Sequence, residues 1–438
     1  MGTPPSENDT AMSSKPEPLQ PQEQKQPDGK IGIRRRLKHF TFAWFLSTMS
    51  TGGLALALAD TPHQFPGNNP FPPHPYSPPF SPVKNEKPTD MPPPHLAGLY
   101  HIGLTMFLAN ILLFLVLCTC TVLRLIHHPA HFASSFLHPQ ESLFLGSFWL
   151  SLSVILAGIQ TYGITHGPSS SSSSSSPPYP WLVDAVHVLY WVYAAMSLAN
   201  SIFQYWILIA YSKLRPVPYL PSIFLAGYSA MLTGTVASMV AGTQPAHRVM
   251  GVVVSGVAYQ GFGWCISFIA VVAYVRNVLD HGFPPAAQLR PGLFIPVGSC
   301  AYTIVALIGL ANAVSEDASY FVRHPAAPEI LRVLALFTGI FLYVFAFWLF
   351  AIAFLGNVGV VGKMPFSLTW WAFIFPNVGF TLSTSVLGRE LESEGILWVA
   401  SVMTALLVVI WLVTVVGCVR AVWKREIVWP GRDEDKNR

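Results

Sequence analysis

The sequence predicts an all-α integral membrane protein of ten transmembrane helices, paired as five hairpins, on three observations. The 438-residue chain is 52% hydrophobic and only 11% charged, with a mean hydropathy of +0.46, which is too apolar for a water-soluble globule. Ten stretches reach the ~20 apolar residues that a helix needs to cross the hydrocarbon layer. Those stretches also alternate in composition, the odd-numbered ones carrying Gly, Ser and Thr and the even-numbered ones Leu, Val, Phe and Trp. The alternation reads as a repeated hairpin in which one helix faces an interior path and its partner faces lipid. Five small, hydroxylated helices then line a central pore.

Residues 1–33 are rich in Pro, Gln, Glu, Ser and Lys and have no apolar periodicity, so they predict a disordered cytosolic tail. They show no short apolar core with a small-residue cleavage site, and the first membrane helix is expected to act as its own insertion signal. The transmembrane domain is expected over residues 34–425, with a second cytosolic tail at 426–438. The basic cluster Arg34-Arg35-Arg36-Leu37-Lys38 runs straight into the first span. The spans read as roughly 40–59, 96–123, 142–163, 181–211, 217–242, 249–275, 292–314, 330–355, 366–388 and 396–420. Two linkers are long: the proline-rich stretch 60–95 and residues 168–180, which include an unbroken tract from Ser169 to Ser176. Neither composition can bury a core, so both predict mobile surface connections.

The candidate path-lining residues come from the odd spans. They are Ser47, Ser50, Thr51 and Gly52 in the first; Ser147 and Ser151 in the third; Thr233 and Gly234 in the fifth; Ser299 and Thr303 in the seventh; and Asn377 and Thr381 in the ninth. Lipid gives no reason to place hydroxyls there. The alternative for any one of them is helix packing, because small residues let helices approach closely and a hydroxyl can bond back to a carbonyl one turn earlier. The set as a whole favours the path, since packing alone would not confine it to alternate helices. The even spans are exemplified by Phe341-Leu342-Tyr343-Val344-Phe345-Ala346-Phe347-Trp348.

Charge sets the expected topology. Lys30, Arg34, Arg35, Arg36, Lys38, Arg124, Lys213, Arg215, Arg276, Arg290, Lys363, Arg420, Lys424 and Arg425 fall on one side. Only Lys84, Lys87, Arg248, Arg323, Arg332 and Arg389 fall on the other. The positive-inside rule then puts both termini in the cytosol of a multi-pass cell-membrane protein. Apart from Asp184 near the start of the fourth span and Glu141 just before the third, no acid or base lies deep in an apolar run, which argues against a proton relay or tightly coupled pump. An anion would instead meet hydroxyls, glycine amides and the helix N-termini at Pro296 and Pro376. The net charge of +4 resolves into these loop cations, and no basic stripe suits nucleic acid. His101 and His187 sit in even spans and read as packing or interface residues. Cys118, Cys120, Cys265, Cys300 and Cys418 lie inside apolar spans with no CxxC spacing, so packing is expected rather than a metal site or disulfide. No GxSxG or His-rich ligand set marks an enzyme, no cofactor is expected, and the short outside loops disfavour a receptor.

Several motifs resemble one family. They are His39-Phe40-Thr41-Phe42-Ala43-Trp44-Phe45 with Met49-Ser50-Thr51-Gly52-Gly53; Pro62-His63-Gln64-Phe65-Pro66; Met231-Leu232-Thr233-Gly234-Thr235-Val236-Ala237-Ser238; Arg290-Pro291-Gly292-Leu293-Phe294-Ile295; and Trp370-Trp371-Ala372-Phe373-Ile374-Phe375-Pro376. In this order, over residues 35 to 425, the chain resembles the tellurite-resistance/dicarboxylate transporter family. That family includes slow-type plant anion channels, fungal malic acid permeases and fungal sulfite exporters. The resemblance implies five hairpins around a quasi-five-fold central pore, odd helices innermost, and a homotrimer with one pore per subunit. The opening motif and the Met-Ser-Thr-Gly-Gly run look most like the malic acid permeases, so a C4-dicarboxylate such as malate is the expected substrate, with protons as a candidate co-substrate. Sulfite export and a gated anion channel are the alternatives. The chain departs from the family in having Ala226 and Ser229-Ala230 where a Phe-Pro pair is expected, and in its serine tract.

The resemblance also implies a gate: Phe375 matches the phenylalanine that plugs the pore in the anion-channel branch. Independently, Pro376 is expected to kink the ninth span and turn a neighbouring side chain toward the axis, where a ring closes a narrow path by sterics and dewetting. Straight-helix spacing competes with this, because it places Phe373 or Phe380 on the face of Asn377, Thr381 and Thr384.

Overall fold

The computed structural model describes residues 32–62, 97–165, 179–211, 222–314 and 319–427. Most of the expected tails 1–33 and 426–438, namely 1–31 and 428–438, and most of the two long linkers lie outside the described residues. Ten helices have sixteen or more residues: α1 Phe45–Asp60, α2 Ala97–His127, α3 Pro139–Gly158, α4 Pro180–Tyr211, α5 Ile223–Val240, α6 Ala246–His281, α7 Val297–Asn312, α8 Ala327–Val358, α9 Phe375–Glu390 and α10 Glu394–Trp423. No strand occurs among the described residues.

The odd helices close on themselves. α1 packs against α3, α3 against α5, α5 against α7, α7 against α9, and α9 back against α1. The even helices lie outside this five-membered ring, each in the groove between two inner ones: α4 on α3 and α5, α6 on α5 and α7, α8 on α7 and α9, α10 on α9 and α1. Burial separates the layers. The inner segments containing α1, α3, α5 and α7 are 89, 67, 83 and 89% enclosed, whereas α2, α4, α6, α8 and α10 are 22 to 33% enclosed. Residue volume explains the sorting, since Gly, Ala, Ser and Thr let five helices approach at close range. The outer faces leave Phe341, Ile209 and Val344 in the open, the surface a lipid solvent requires.

Inner and outer helices also differ in length. The outer ones run 30 to 36 residues and the inner ones 16 to 20, or about 24–30 Å of inner helix at 1.5 Å per residue. Irregular helix completes the inner layer. 3-10 turns at Phe42–Trp44, Ala287–Phe294 and Leu368–Phe373 lead into α1, α7 and α9, and a π-helical turn at Ile159–Thr165 follows α3. Such backbone is tolerated at membrane depth because protein surrounds it.

Two expectations change here. The ninth span is not one kinked helix over 366–388: the 3-10 turn stops at Phe373, Ile374 caps the next element at φ −103°, ψ −66°, and α9 starts at Phe375. Pro376 therefore stands in the first turn of a helix, where its missing N–H removes no hydrogen bond. Nine helical segments among the described residues are long and apolar enough to cross a membrane. α9 is not one of them: it has 16 residues and carries Asn377, Thr381, Ser383, Thr384 and Ser385. The second change concerns Arg124, expected as a loop cation. Helix α2 continues to His127, and the short helix Pro129–Leu137 folds back over its end. Arg124 is 1% exposed and donates to Glu141 Oε1 at 2.7 Å and Ser135 Oγ at 2.8 Å.

Polar ties at the helix ends join loops within each of the two charge groups read from the sequence. At one end Arg124 meets Glu141, His128 meets the Arg34 carbonyl and Arg290 donates to Gly356 O. At the other, Asp60 meets Arg389, Asp184 meets Arg248 and Asn312 donates to Glu390. All five cysteines are free thiols.

Candidate functional site: the inner ring and its aromatic centre

Most of the inner-helix hydroxyls bridge elements. Ser50 Oγ donates to the Trp371 carbonyl at 3.0 Å, and Thr48 and Ser151 share a 2.7 Å bond beside the Phe45 carbonyl. Ser147 Oγ donates to Phe42 O at 3.0 Å. Thr51 accepts from the Trp411 indole of α10 at 3.1 Å, Thr233 pairs with Ser197 of α4 at 2.9 Å, and Thr303 accepts from Gln260 of α6 at 2.8 Å. Ser299 pairs with Tyr228 Oη at 2.7 Å. A bond of this kind joins two helices and satisfies both partners where water is absent. Three members of the set bond only within their own helical stretch: Ser47 to Trp44 O, Thr381 to Asn377 O, and Asn377 Nδ2 to Phe373 O. The Oδ1 of Asn377 is buried with no hydrogen-bond partner.

The glycines show which face of each helix meets which neighbour. A Cβ at Gly52 would lie 2.5 Å from Asn110 Nδ2 of α2, and one at Gly234 would lie 2.6 Å from Gln260 Cβ of α6. Both glycines thus let an outer helix seat against the inner ring. Gly53, one residue on, turns the other way: its Cβ would sit 3.1 Å from the Phe375 ring.

Phe375 meets two of the five inner helices. It stands in the first turn of α9, 2% exposed, between α1 and α7, the two inner neighbours of its helix. Its ring stacks on Tyr302 of α7 with centroids 5.1 Å apart and 29° between planes. Tyr302 Oη donates to the Phe375 carbonyl at 3.0 Å. Gly379, one turn along α9, leaves room for this: a Cβ there would be 2.7 Å from Tyr302 Cε2. One helix further round, Tyr228 of α5 donates to the Ile295 carbonyl at 2.7 Å, just ahead of α7. The competing phenylalanines point elsewhere. Phe380 stacks on Tyr343 and contacts Phe350, both on α8, and Phe373 meets Phe294 at 5.6 Å. Thr384, grouped with Asn377 and Thr381 by straight-helix spacing, pairs with Tyr343 of α8 at 2.8 Å.

Charge is confined to the rims. On the inner helices the described charged residues are Asp60, Glu141, Arg389 and Glu390, all in first or last turns. Arg389 clamps the ends of α9 and α1 together, donating to Asp60 Oδ1 at 2.6 Å and Asp60 O at 2.7 Å. Between the rims the ring offers hydroxyls, amides, rings and helix dipoles. The helices at Pro296 and Pro376 start where the sequence places them.

The hydroxyl-and-glycine reading passed over Tyr228, Tyr302, Asn110 and Gln260. Tyrosines in mid-span were the available signal, since a buried phenol needs a hydrogen-bond partner. Asn110 is fully buried on α2 with neither amide atom partnered, and no spacing in the sequence distinguished it.

Comparison with known proteins fits this architecture. The family model for the voltage-dependent anion channel, SLAC1, matches residues 39–419. The malic acid transport protein of Schizosaccharomyces pombe is 27% identical over 408 residues, covering 92% of this chain and 83% of that protein. The sulfite efflux pump SSU1 of Trichophyton rubrum is 24% identical over 365 residues, covering 82% of this chain and 84% of the pump. An uncharacterized transporter of Methanocaldococcus jannaschii is 24% identical over 406 residues, covering 89% and 97% respectively. With its closed ring of small inner helices, its rim-only charge and a match over most of its length, the chain belongs to the SLAC1 voltage-dependent anion channel family.

Proposed function

We propose that this protein carries a small organic anion, malate or another C4-dicarboxylate, across the cell membrane along the axis of the inner ring, with Phe375 as the gate. The observation that carries the reading is the position of Phe375: a buried ring at the start of α9, wedged between α1 and α7 against Gly53. A ring wedged between neighbouring inner helices, turned toward their axis, would obstruct an ion by sterics and by excluding water. Its removal would leave a channel walled by backbone, hydroxyls and amides.

Ser47, Asn377 and Thr381 are the wall residues of this path, because their side chains bond only locally and Asn377 Oδ1 has no partner. Ser50, Thr51, Ser147, Ser151, Thr233, Ser299 and Thr303 act by tying helices together, and Gly52 and Gly234 by seating outer helices. Without a fixed cation in the ring, a dianion is held weakly, as rapid passage requires. The malic acid transport protein of Schizosaccharomyces pombe, at 27% identity, and a second protein of that organism named "Putative malic acid transport protein", at 26%, favour malate. The dermatophyte sulfite pumps support sulfite as the second reading. Cytosolic termini and a homotrimer with one path per subunit complete the proposal, and the pH-gradient arm of the flux assay tests protons as co-substrate.

The test is flux through purified protein in liposomes, with malate, sulfite and chloride, each with and without a pH gradient. Malate uptake exceeding the other two is expected. Sulfite flux with malate at the protein-free level would overturn the substrate. Stimulation by an inward proton gradient identifies proton coupling, and its absence a uniporter or channel.

A further inference from the structure

We infer that Tyr302 is the lock of the Phe375 gate: a positioning residue on α7 that holds the gating ring and its backbone in the closed position, and must let go before the path opens. The inference rests on reading Phe375 as the gate and adds the residue that sets how often it opens.

Two separate contacts join the pair. The rings stack at 5.1 Å, and the Tyr302 hydroxyl donates to the Phe375 carbonyl at 3.0 Å. The second contact falls where the helix type changes. Phe375 follows the junction between the 3-10 turn Leu368–Phe373 and α9, where Ile374 departs from helical geometry. The backbone there is held by Ile374 N donating to Trp371 O at 3.1 Å and Val378 N to Ile374 O at 2.8 Å, and the Tyr302 hydroxyl adds a tie from a second helix. A phenol clamped to the carbonyl there restrains the whole start of α9. Tyr302 in turn has little freedom. It is buried, its ring lies in the recess left by Gly379, and its own carbonyl accepts from Thr235 of α5 at 3.4 Å. Phe375 is also confined on its far side by Gly53 of α1. The gating ring thus touches both α7 and α1: swinging it away breaks the stack, and shifting the start of α9 with it breaks the hydroxyl bond as well.

The lock is tested on the full-length protein in liposomes by basal malate flux in Tyr302→Phe, Phe375→Ala and the double variant, with gel filtration confirming intact protein. Tyr302→Phe keeps the stack and loses only the hydroxyl bond. It should raise basal flux roughly three- to tenfold, the equilibrium worth of one neutral hydrogen bond. Maximal rate should rise while KM stays unchanged, because Tyr302 acts on the gate rather than on the anion. Tyr302→Met, which removes both contacts at similar volume, should raise flux further, and it carries the test if the phenylalanine variant fails to fold. In the double variant the tyrosine change should add nothing to Phe375→Ala, since there is no ring left to lock. If Phe375→Ala raises flux while Tyr302→Phe and Tyr302→Met stay at the wild-type level, the lock is wrong and the gate stands. Additive effects in the double variant would also overturn the lock, whereas wild-type flux in Phe375→Ala would remove the gate and the lock with it.

Discussion

Gly52 and Gly53 are adjacent residues with opposite tasks, and alanine at each should fail in a different way. At Gly52 the added methyl would lie 2.5 Å from both Asn110 Nδ2 and Val154 Cγ1, where ordinary contact begins at 3.4 Å. Relief requires a shift of about 0.9 Å, the difference of those distances. Asn110 is 0% and Val154 4% exposed, so neither has space to retreat and α1, α2 and α3 must separate. Overpacking of this kind costs about 1–3 kcal/mol, and Gly52→Ala should lower the thermal midpoint in detergent and the yield of inserted protein. At Gly53 the methyl meets the Phe375 ring at 3.1 Å, so a shift of about 0.3 Å suffices and falls on the gate alone. A closed state destabilised by about 1 kcal/mol relative to the open one gains roughly fivefold in open population, since 1.4 kcal/mol is tenfold. Gly53→Ala should therefore remain folded and leak malate. The assay is paired: melting temperature by tryptophan fluorescence, and radiolabelled malate efflux from liposomes. The reasoning is refuted if Gly53→Ala folds normally with wild-type efflux, or if Gly52→Ala is as stable as wild type.

Three further outcomes follow from the same contacts. Glu141→Gln strands the buried Arg124 without its counter-charge, which costs about 3–5 kcal/mol when one partner of such a pair is removed; a depressed melting temperature is expected, with Arg124→Met plus Glu141→Leu recovering most of it. Thr233→Val breaks only the tie to Ser197, worth ~0.6 kcal/mol in a membrane helix, so flux should persist, whereas Thr381→Val should reduce flux without loss of stability; equal losses in the two would place Thr381 among the ties. A glycosylation acceptor placed in the Ser169–Ser176 tract should be modified outside the cell, and a protease site after Trp429 should be cut only from the cytosol; both reporting the same side would break the hairpin topology.

The layering of this fold was legible because it rests on residue volume: small side chains in α1, α3, α5, α7 and α9 and bulky ones between. The direction of individual hydroxyls was not. Thr51 and Thr233 look alike in sequence to Ser47 and Thr381, yet the first two reach outer-helix partners and the last two bond within their own stretch. Composition assigns a helix to a layer, whereas the face a residue takes depends on helix phase. Phase also explains Phe375. A continuous helix over 366–388 puts Phe373 or Phe380 on the polar stripe, but a 3-10 turn advances about 120° per residue rather than 100°, and Ile374 interrupts the register. The break displaces only Phe373; Phe375 and Phe380 share the continuous α9 about 140° apart, and the stripe of Phe380 and Thr384 faces α8 while Phe375 faces the inner neighbours. Arg124 was misread because only the course of α2 to His127 and the helix Pro129–Leu137 reveal that it is covered. Tyr302 escaped notice because its role is relational: nothing in α7 alone indicates a carbonyl on α9 within hydrogen-bonding distance.

The central claim, that anions pass through the inner ring and Phe375 closes it, is tested most directly by malate conductance of Phe375→Ala in planar bilayers, beside Phe373→Ala and Phe380→Ala. The account predicts a marked rise in Phe375→Ala with the protein correctly inserted, and conductance near the wild-type level in the other two, whose rings pack against Phe294 and the outer helix α8. Unchanged conductance in Phe375→Ala, with a rise in either of the others, would contradict it.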